Sequence, residues 1–261
     1  MLNINKMKEK GIRRILAVGD IHGMYDKLMT VWRRANIEDN DIVIFLGDYT
    51  DRGINNINVI KFVLEQDKKN NIHFLCGNHE VILLETLAVI ASNLYGEDID
   101  PFDIYKLNDD DMFYLFEATK DIVENNLMYI EAANLFKELK KDDFPILKEY
   151  IKKISNLNFR IKMNINNKTY IFSHAGCNPK KKYEDQEIND IVWLREEFFN
   201  NYYGEDIYVI GHTPVQFFEH YKPIFKDNMI LCDTGSFMYD GSISIVDVIN
   251  KHVYSSNLML I

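Results

Sequence analysis

An α/β fold with two stacked, mixed β-sheets flanked by helices is what this sequence predicts, and three observations predict it. Six short apolar runs, rich in β-branched and aromatic residues, do not alternate with polar ones, and each ends in glycine and polar residues. That is how a strand buried on both faces reads. Helical patterns separate the first three runs, which implies right-handed βαβ crossovers and parallel pairing. Two hairpin patterns appear late in the chain, so antiparallel strands join the parallel ones and a second sheet stacks on the first.

The elements follow in order. RILAV (14–18) leads into GDIHG, IVIFL (42–46) into GDYTDRG, and IHFL (72–75) into CGNHE. Between them, residues 24–36 place Leu28, Val31, Trp32 and Ala35 on one helix face, and residues 57–69 place Ile57, Ile60, Val63 and Leu64 likewise. The polar ends of such strands gather along one edge of the sheet, where ligand sites of open α/β sheets form. Residues 81–157 carry only long helical periods and read as a helical insertion that packs against the sheet or caps its edge. FRIKMNI-NN-KTYIFS (159–173) reads as a hairpin turning at Asn166–Asn167 and leads into HAG. IYVI precedes GHTP, NMILC precedes DTG, and SISIVDVINKHVYSS reads as a last hairpin turning near Asn250. With no repeat or linker in view, 1–261 reads as one domain carrying the insertion.

Composition bounds the function. Of 261 residues 47% are apolar, enough for a substantial core. A formal charge of −10 argues against a nucleic-acid partner and against anionic membrane surfaces. The three cysteines, Cys76, Cys177 and Cys232, form no CxxC pair and fit a reducing compartment. The first sixteen residues lack the apolar core of about 7–15 residues that marks a signal peptide. No apolar run approaches the roughly 18 residues that span a bilayer. The expectation is a soluble cytoplasmic protein.

The strand ends deliver Asp20, His22, Asp48, Asp51, Arg52, Asn78, His79, His174 and His212. Carboxylate, imidazole and amide groups together suit Mn, Fe, Zn or Ni rather than a thiolate metal site. One metal rarely uses so many protein ligands; two can, when a carboxylate bridges them. Two ions about 3.5–4 Å apart generate hydroxide near neutral pH and neutralise a phosphoryl group under attack. Arg52 can grip phosphate through paired N–H donors. His79 can protonate the leaving alcohol, with Asp51 holding it protonated. Any one cluster alone also reads as an ordinary loop or helix cap; five clusters, each after a buried strand, do not.

In this order, GDIHG, GDYTDRG, GNHE, HAG and GHT resemble the calcineurin-like metallophosphoesterases. GDYTDRG and GNHE resemble the phosphoprotein phosphatase family, the serine/threonine phosphatases, in their compact bacterial and bacteriophage-type form. The resemblance implies an αββα sandwich and two divalent ions, Mn foremost, with Fe, Zn or Ni as alternatives. It implies that Asp20 and His22 bind the first metal, that Asp48 bridges, and that Asn78, His174 and His212 complete the second. It implies that Arg52 holds phosphate and that His79, paired with Asp51, is the acid. IVWLREEF resembles the bacterial-type segment that brings a second arginine to the phosphate, which would be Arg195; an ion pair with Glu196 is its ordinary alternative. The segment after GNHE lacks the glycine-rich stretch of many bacterial members, and NLNF stands before the hairpin where many have Leu-Pro, which leaves the substrate open.

The expected reaction is hydrolysis of phosphoserine and phosphothreonine monoesters by hydroxide held between two metals. The alternative substrate is diadenosine tetraphosphate or another phosphorylated nucleotide, with the insertion and its aromatics (Tyr95, Tyr105, Phe113, Tyr114) forming a nucleotide pocket. A catalytically dead binding module would be expected to have lost ligands, and none is missing. PKKKY (179–183) reads as a solvated lysine run rather than a substrate magnet.

Overall fold

A strand apolar on both faces needs a layer on each side, and the chain supplies both. The computed structural model describes residues 11–125 and 132–257. The first sheet runs β10-β9-β1-β2-β3, built from β1 (Ile15–Val18), β2 (Ile42–Phe45), β3 (Ile72–Phe74), β9 (Ser244–Asp247) and β10 (His252–Ser255). β1, β2 and β3 are mutually parallel, joined by helices α1 (Tyr25–Ala35) and α2 (Asn56–Gln66), while β9 runs antiparallel to β1 and to β10. The second sheet, in order β4-β5-β6-β8-β7, contains β4 (Arg160–Ile165), β5 (Lys168–Ser173), β6 (Ile207–Ile210), β7 (Ile224–Phe225) and β8 (Met229–Leu231). There β5, β6 and β8 are parallel and the edge strands antiparallel. The expected pair of mixed sheets is therefore present.

The strand pattern explains the stacking. Ile15, Ala17, Ile44 and Leu46 meet Phe172, Val209, Ile230 and Cys232 between the sheets. The alternate residues Leu16, Val18, Val43 and Phe45 face helices instead. On the far side, Ile171, Tyr208, Ile210 and Leu231 pack against Phe198 of α8 (Glu196–Asn201), which follows the one-turn helix α7 (Ile188–Val192). The hairpin turn falls at Asn166–Asn167, where φ is 53° and 64°. Two successive left-handed residues make the turn whose twist matches its strands.

The segment between β3 and β4, expected to be a helical insertion, joins the helical layer over the first sheet. Its helices are α3 (Asn78–Tyr95), α4 (Asp109–Glu124), α5 (Ala133–Glu138) and α6 (Phe144–Ile154). Leu84, Leu87, Leu115, Phe116, Phe136, Leu147 and Ile151 share one cluster with Leu16 and Val18. The expected boundary at 81 cuts a helix, because α3 already begins at Asn78. Gly77 is extended (φ −99°, ψ 179°), and the Glu80 carboxylate accepts its N–H, so Asn78 and His79 fall in the first turn. Of the helical reading over 109–141, residues 126–131 lie outside the described residues, as does the N-terminal stretch 1–10. The chain returns to the sheet at Asn158, whose carbonyl accepts the Cys76 N–H.

Candidate active site

The ends of β1, β2, β3, β5, β6 and β8 converge, and the expected residues come together there. His174 Nδ1 donates to the Leu46 carbonyl (2.9 Å), so its Nε2 lone pair points inward, 2.8 Å from Asn78 Oδ1 and 3.3 Å from Asp48 Oδ1. His212 Nδ1 lies 2.9 Å from the same Asn78 oxygen. His22 Nδ1 lies 3.3 Å from the Thr50 carbonyl, and its Nε2 stands 3.5 Å from Asp48 Oδ2 and 3.9 Å from Asp20 Oδ2. Backbone carbonyls thus fix the tautomers of His174 and His22 and leave their inner nitrogens as acceptors.

Two groups of ligand atoms each lie within 4.8 Å of one another, His22–Asp48–His79 and Asp48–His174–His212. Asp48 belongs to both. Asp20 sits beside the first group and accepts the His212 N–H through both carboxylate oxygens (3.1 Å each). Gly211 is required at this point, since a Cβ there would lie 2.2 Å from Asp20 Oδ1.

Asp51 Oδ2 is 3.0 Å from His79 Nδ1, and Arg52 Nη2 is 3.4 Å from His79 Nε2. Arg52 also lies over the Phe237 ring, 4.7 Å from its centroid. The loop carrying Phe237 is pinned by Lys27 of α1, whose ammonium donates to the Ser236 and Gly241 carbonyls at 2.7 Å each. Arg195 does not pair with Glu196 among the described contacts. Its Nε donates to His212 Nε2 at 3.0 Å, while the Trp193 carbonyl lies 3.2 Å from that nitrogen and can accept from it in the other tautomer.

Positive φ marks the same residues: His22 (48°), Asp48 (55°), Asp51 (73°), Arg52 (62°) and His212 (65°). Each such non-glycine residue costs about 1–3 kcal/mol and persists only where its surroundings hold it. The holding groups are identifiable. Glu80, fully buried, accepts the N–H groups of Asp48 (2.8 Å), Tyr49 (2.9 Å) and Gly77 (2.9 Å), tying the β2 loop to the start of α3. Asn56 accepts the Asp51 N–H (2.7 Å) and donates to the Gly53 carbonyl (3.0 Å). Glu138 of α5 accepts from Asn56 N, Asn56 Nδ2 and Ile57 N, and Asn134 donates to the Arg52 carbonyl. The insertion therefore braces the loop that carries Asp51 and Arg52.

The electrostatics suit a cation. Burial, then repulsion from Asp233 and Asp48, pushes Asp20 well above the usual carboxylate range. Burial works the same way on Asp233, pushed up to about 6. Burial opposes the Asp48 charge too, but His174 and His79 outweigh it and hold that carboxyl low. Burial pushes His22 down to about 4, and burial with His174 nearby pushes His212 down to about 2, so both keep neutral lone pairs at pH 7. His79 moves up despite its burial, because Asp48 and Asp51 favour its charged form. Crowded carboxylates, neutral imidazoles and an amide oxygen aimed at shared points are a donor set that fits divalent ions.

Asp233 and Glu80 were the residues sequence reasoning left without a role. Asp233 stands two residues after β8, is 1% exposed and lines the cleft. Its signal was present in the DTG that follows NMILC. Glu80 stands in GNHE, but nothing local announces that it binds the backbone of a distant loop. The cleft holds about 410 Å³, and its wall includes His22, Asp48, Asn78, His79, Asp233, Arg52 and Arg195 with a rim of Trp193, Pro214, Phe217, Phe237 and Met238.

A dinuclear-type ligand set at the ends of parallel strands in two stacked sheets defines a metallophosphoesterase. The chain belongs to the calcineurin-like phosphoesterase family, whose model matches residues 13–228. It is thus a hydrolase of a dinuclear-metal family. It is 24% identical over 238 residues to serine/threonine-protein phosphatase 2 of Salmonella typhimurium, covering 86% of this chain and 88% of that one. It is also 24% identical over 240 residues to an asymmetrical bis(5′-nucleosyl)-tetraphosphatase of Bacillus velezensis, covering 84% and 82%. A crystal structure provisionally described as a diadenosine tetraphosphatase superposes with a TM-score of 0.60 at 17% identity, over 93% of this chain and 92% of that one, which shows the shared fold. Among the described residues no helix is long and apolar enough to cross a membrane.

Proposed function

We propose that the protein hydrolyses phosphoserine and phosphothreonine monoesters in proteins or peptides. The charge inventory of the cleft carries this reading. Arg52 and Arg195 are the only lysine or arginine side chains lining it among the described residues. Two guanidinium groups suit one phosphoryl group; a chain of four phosphates asks for more cations. The neighbouring lysines are already engaged, Lys180 with Glu197 and Lys181 with Glu187 and Asp190. Among the described residues the aromatics expected to form a nucleotide pocket do not line the cleft either: Tyr95, Tyr105 and Phe113 pack on the helical core, and Tyr114 is exposed away from the cleft lining.

Asp20, His22, Asp48, Asn78, His174 and His212 would hold two divalent ions, Mn foremost, which when bound supply an activated water and neutralise phosphoryl oxygens. Arg52 and Arg195 orient the phosphoryl group through paired N–H donors, and Phe237 keeps the Arg52 head over the cleft. Asp51 accepts the His79 Nδ1–H and stabilises the protonated ring. His79 Nε2 then faces the cleft and gives its proton to the departing seryl or threonyl oxygen.

The test is initial-rate hydrolysis with Mn added, comparing a phosphothreonine peptide with diadenosine tetraphosphate at equal concentration, and His79→Asn alongside. Preference for the peptide, lost in the variant, is expected. Preference for the dinucleotide would replace this reading with dinucleoside tetraphosphate hydrolysis, the activity in the name of the Bacillus velezensis relative.

A further inference from the structure

A second cavity of about 290 Å³ adjoins the cleft and shares Arg195 and Phe217 with it. Past that shared wall it is lined by Phe199 and Asn200 of α8, by Phe218 of the short 3-10 helix Val215–Phe218, and by Thr213 and Glu196. Its floor is fixed. The Phe199 and Phe218 rings meet edge-on with centroids 5.1 Å apart and pack on the cluster beneath the second sheet. Its lip is open to solvent: Phe217 is 69% exposed, although Val215, two residues before it, is fully buried. An exposed phenylalanine at the mouth of an apolar cavity next to a phosphate-gripping arginine is surface arranged for a ligand. Glu196 on the wall disfavours a second phosphate there, so an extended polyphosphate does not suit this cavity.

Resting on the protein-phosphatase reading above, we infer that this cavity is a substrate subsite that takes an aromatic side chain flanking the phosphorylated residue, with Phe217 as the residue that sets the preference. The occupant follows from continuity: a peptide whose phosphate sits at Arg195 places a neighbouring side chain against the other side of the same arginine. The cavity volume holds one ring, and Phe217, Phe218 and Phe199 offer it faces and edges.

The experiment is kcat/KM with Mn for phosphothreonine peptides in an alanine background, with phenylalanine placed in turn at each of the two positions on either side of the phosphothreonine. The readout is the ratio of the phenylalanine peptide to the all-alanine peptide within each protein, so general loss of activity or fold cancels. Wild type is expected to favour phenylalanine at one position by about tenfold, the order expected for burying one such side chain. In Phe217→Ala the ratio should fall to near one, and Asn200→Trp, which fills the cavity from α8, should do the same by another route. Peptide hydrolysis indifferent to phenylalanine at every position, or a preference that survives both variants, overturns the subsite while leaving the phosphatase reading intact. No peptide turnover beside good turnover of diadenosine tetraphosphate overturns both.

Discussion

Glu138→Gln tests whether helix α5 holds the loop that carries Asp51 and Arg52. In the wild type the carboxylate accepts three N–H groups at the start of α2, at 2.7, 3.1 and 3.0 Å. Glutamine keeps the shape but retains one acceptor oxygen and turns an NH₂ toward donors. A hydrogen bond to a charged group contributes about 1.5–3 kcal/mol, and an anion at a helix N-terminus about 0.3–1 kcal/mol. Glu138 is half-buried, which reduces these values, so the expected loss is about 2 kcal/mol. For a chain of this size that lowers Tm by about 4–8 °C. The same chain of bonds runs through Asn56 to the Asp51 N–H, and Asp51 and Arg52 both sit at strained positive φ. If the whole loss fell on the loop, the ratio of competent to other loop conformations would drop about 30-fold; with the two comparably populated in the wild type, kcat/KM should fall by between about three- and thirty-fold. The assay is phosphothreonine-peptide hydrolysis well below both melting temperatures, with bound metal measured in parallel and expected unchanged. A lowered Tm with kcat/KM within about twofold of wild type would refute the reasoning, because Asn56 alone would then suffice.

Three further outcomes are expected. Asp51→Asn should lower kcat by about ten- to a hundredfold at unchanged metal content; Asp51 helps raise the His79 pKa, so the basic limb of the pH–rate profile should move to lower pH, and an unmoved limb would remove Asp51 from that role. Asp41 lies buried between Arg13 and Arg14; burial would raise its pKa, but hydrogen bonds from both guanidinium groups hold it well below the usual range. A depressed carboxyl pKa stabilises the fold above the unfolded value of about 3.9 and loses that contribution as pH falls below it. In urea, Asp41→Asn should therefore be less stable than wild type by about 2–4 kcal/mol at pH 7, with the gap narrowing below about pH 4; equal midpoints at pH 7 would show the cluster to be neutral. Dialysis against a chelator should abolish hydrolysis and lower Tm, and added Mn should restore both; Asp48→Asn should bind less metal than wild type. Full activity of a chain shown to be metal-free would contradict the whole site.

Much of the site was legible because its residue types stand directly after strands that are apolar on both faces. RILAV, IVIFL, IHFL, TYIF and IYVI became β1, β2, β3, β5 and β6, and the ligands that follow them meet, because parallel strands in stacked sheets end at one edge. Asn166–Asn167 fixed its turn locally, since a two-residue left-handed turn leaves few choices of residue. What the amino-acid sequence by itself determined was therefore the strand–helix order, the chemistry of the strand ends and the tight hairpin, all set by burial period and backbone preference over a few residues. Only the tertiary structure decided that the last hairpin completes the first sheet by pairing β9 with β1, that Asp233 joins the ligand cleft, that Glu80 and Glu138 hold strained loops, and that Arg195 reaches His212 rather than Glu196. These depend on contacts between residues tens to hundreds of positions apart, and a side chain's period along its own strand or helix carries no record of which distant backbone it meets.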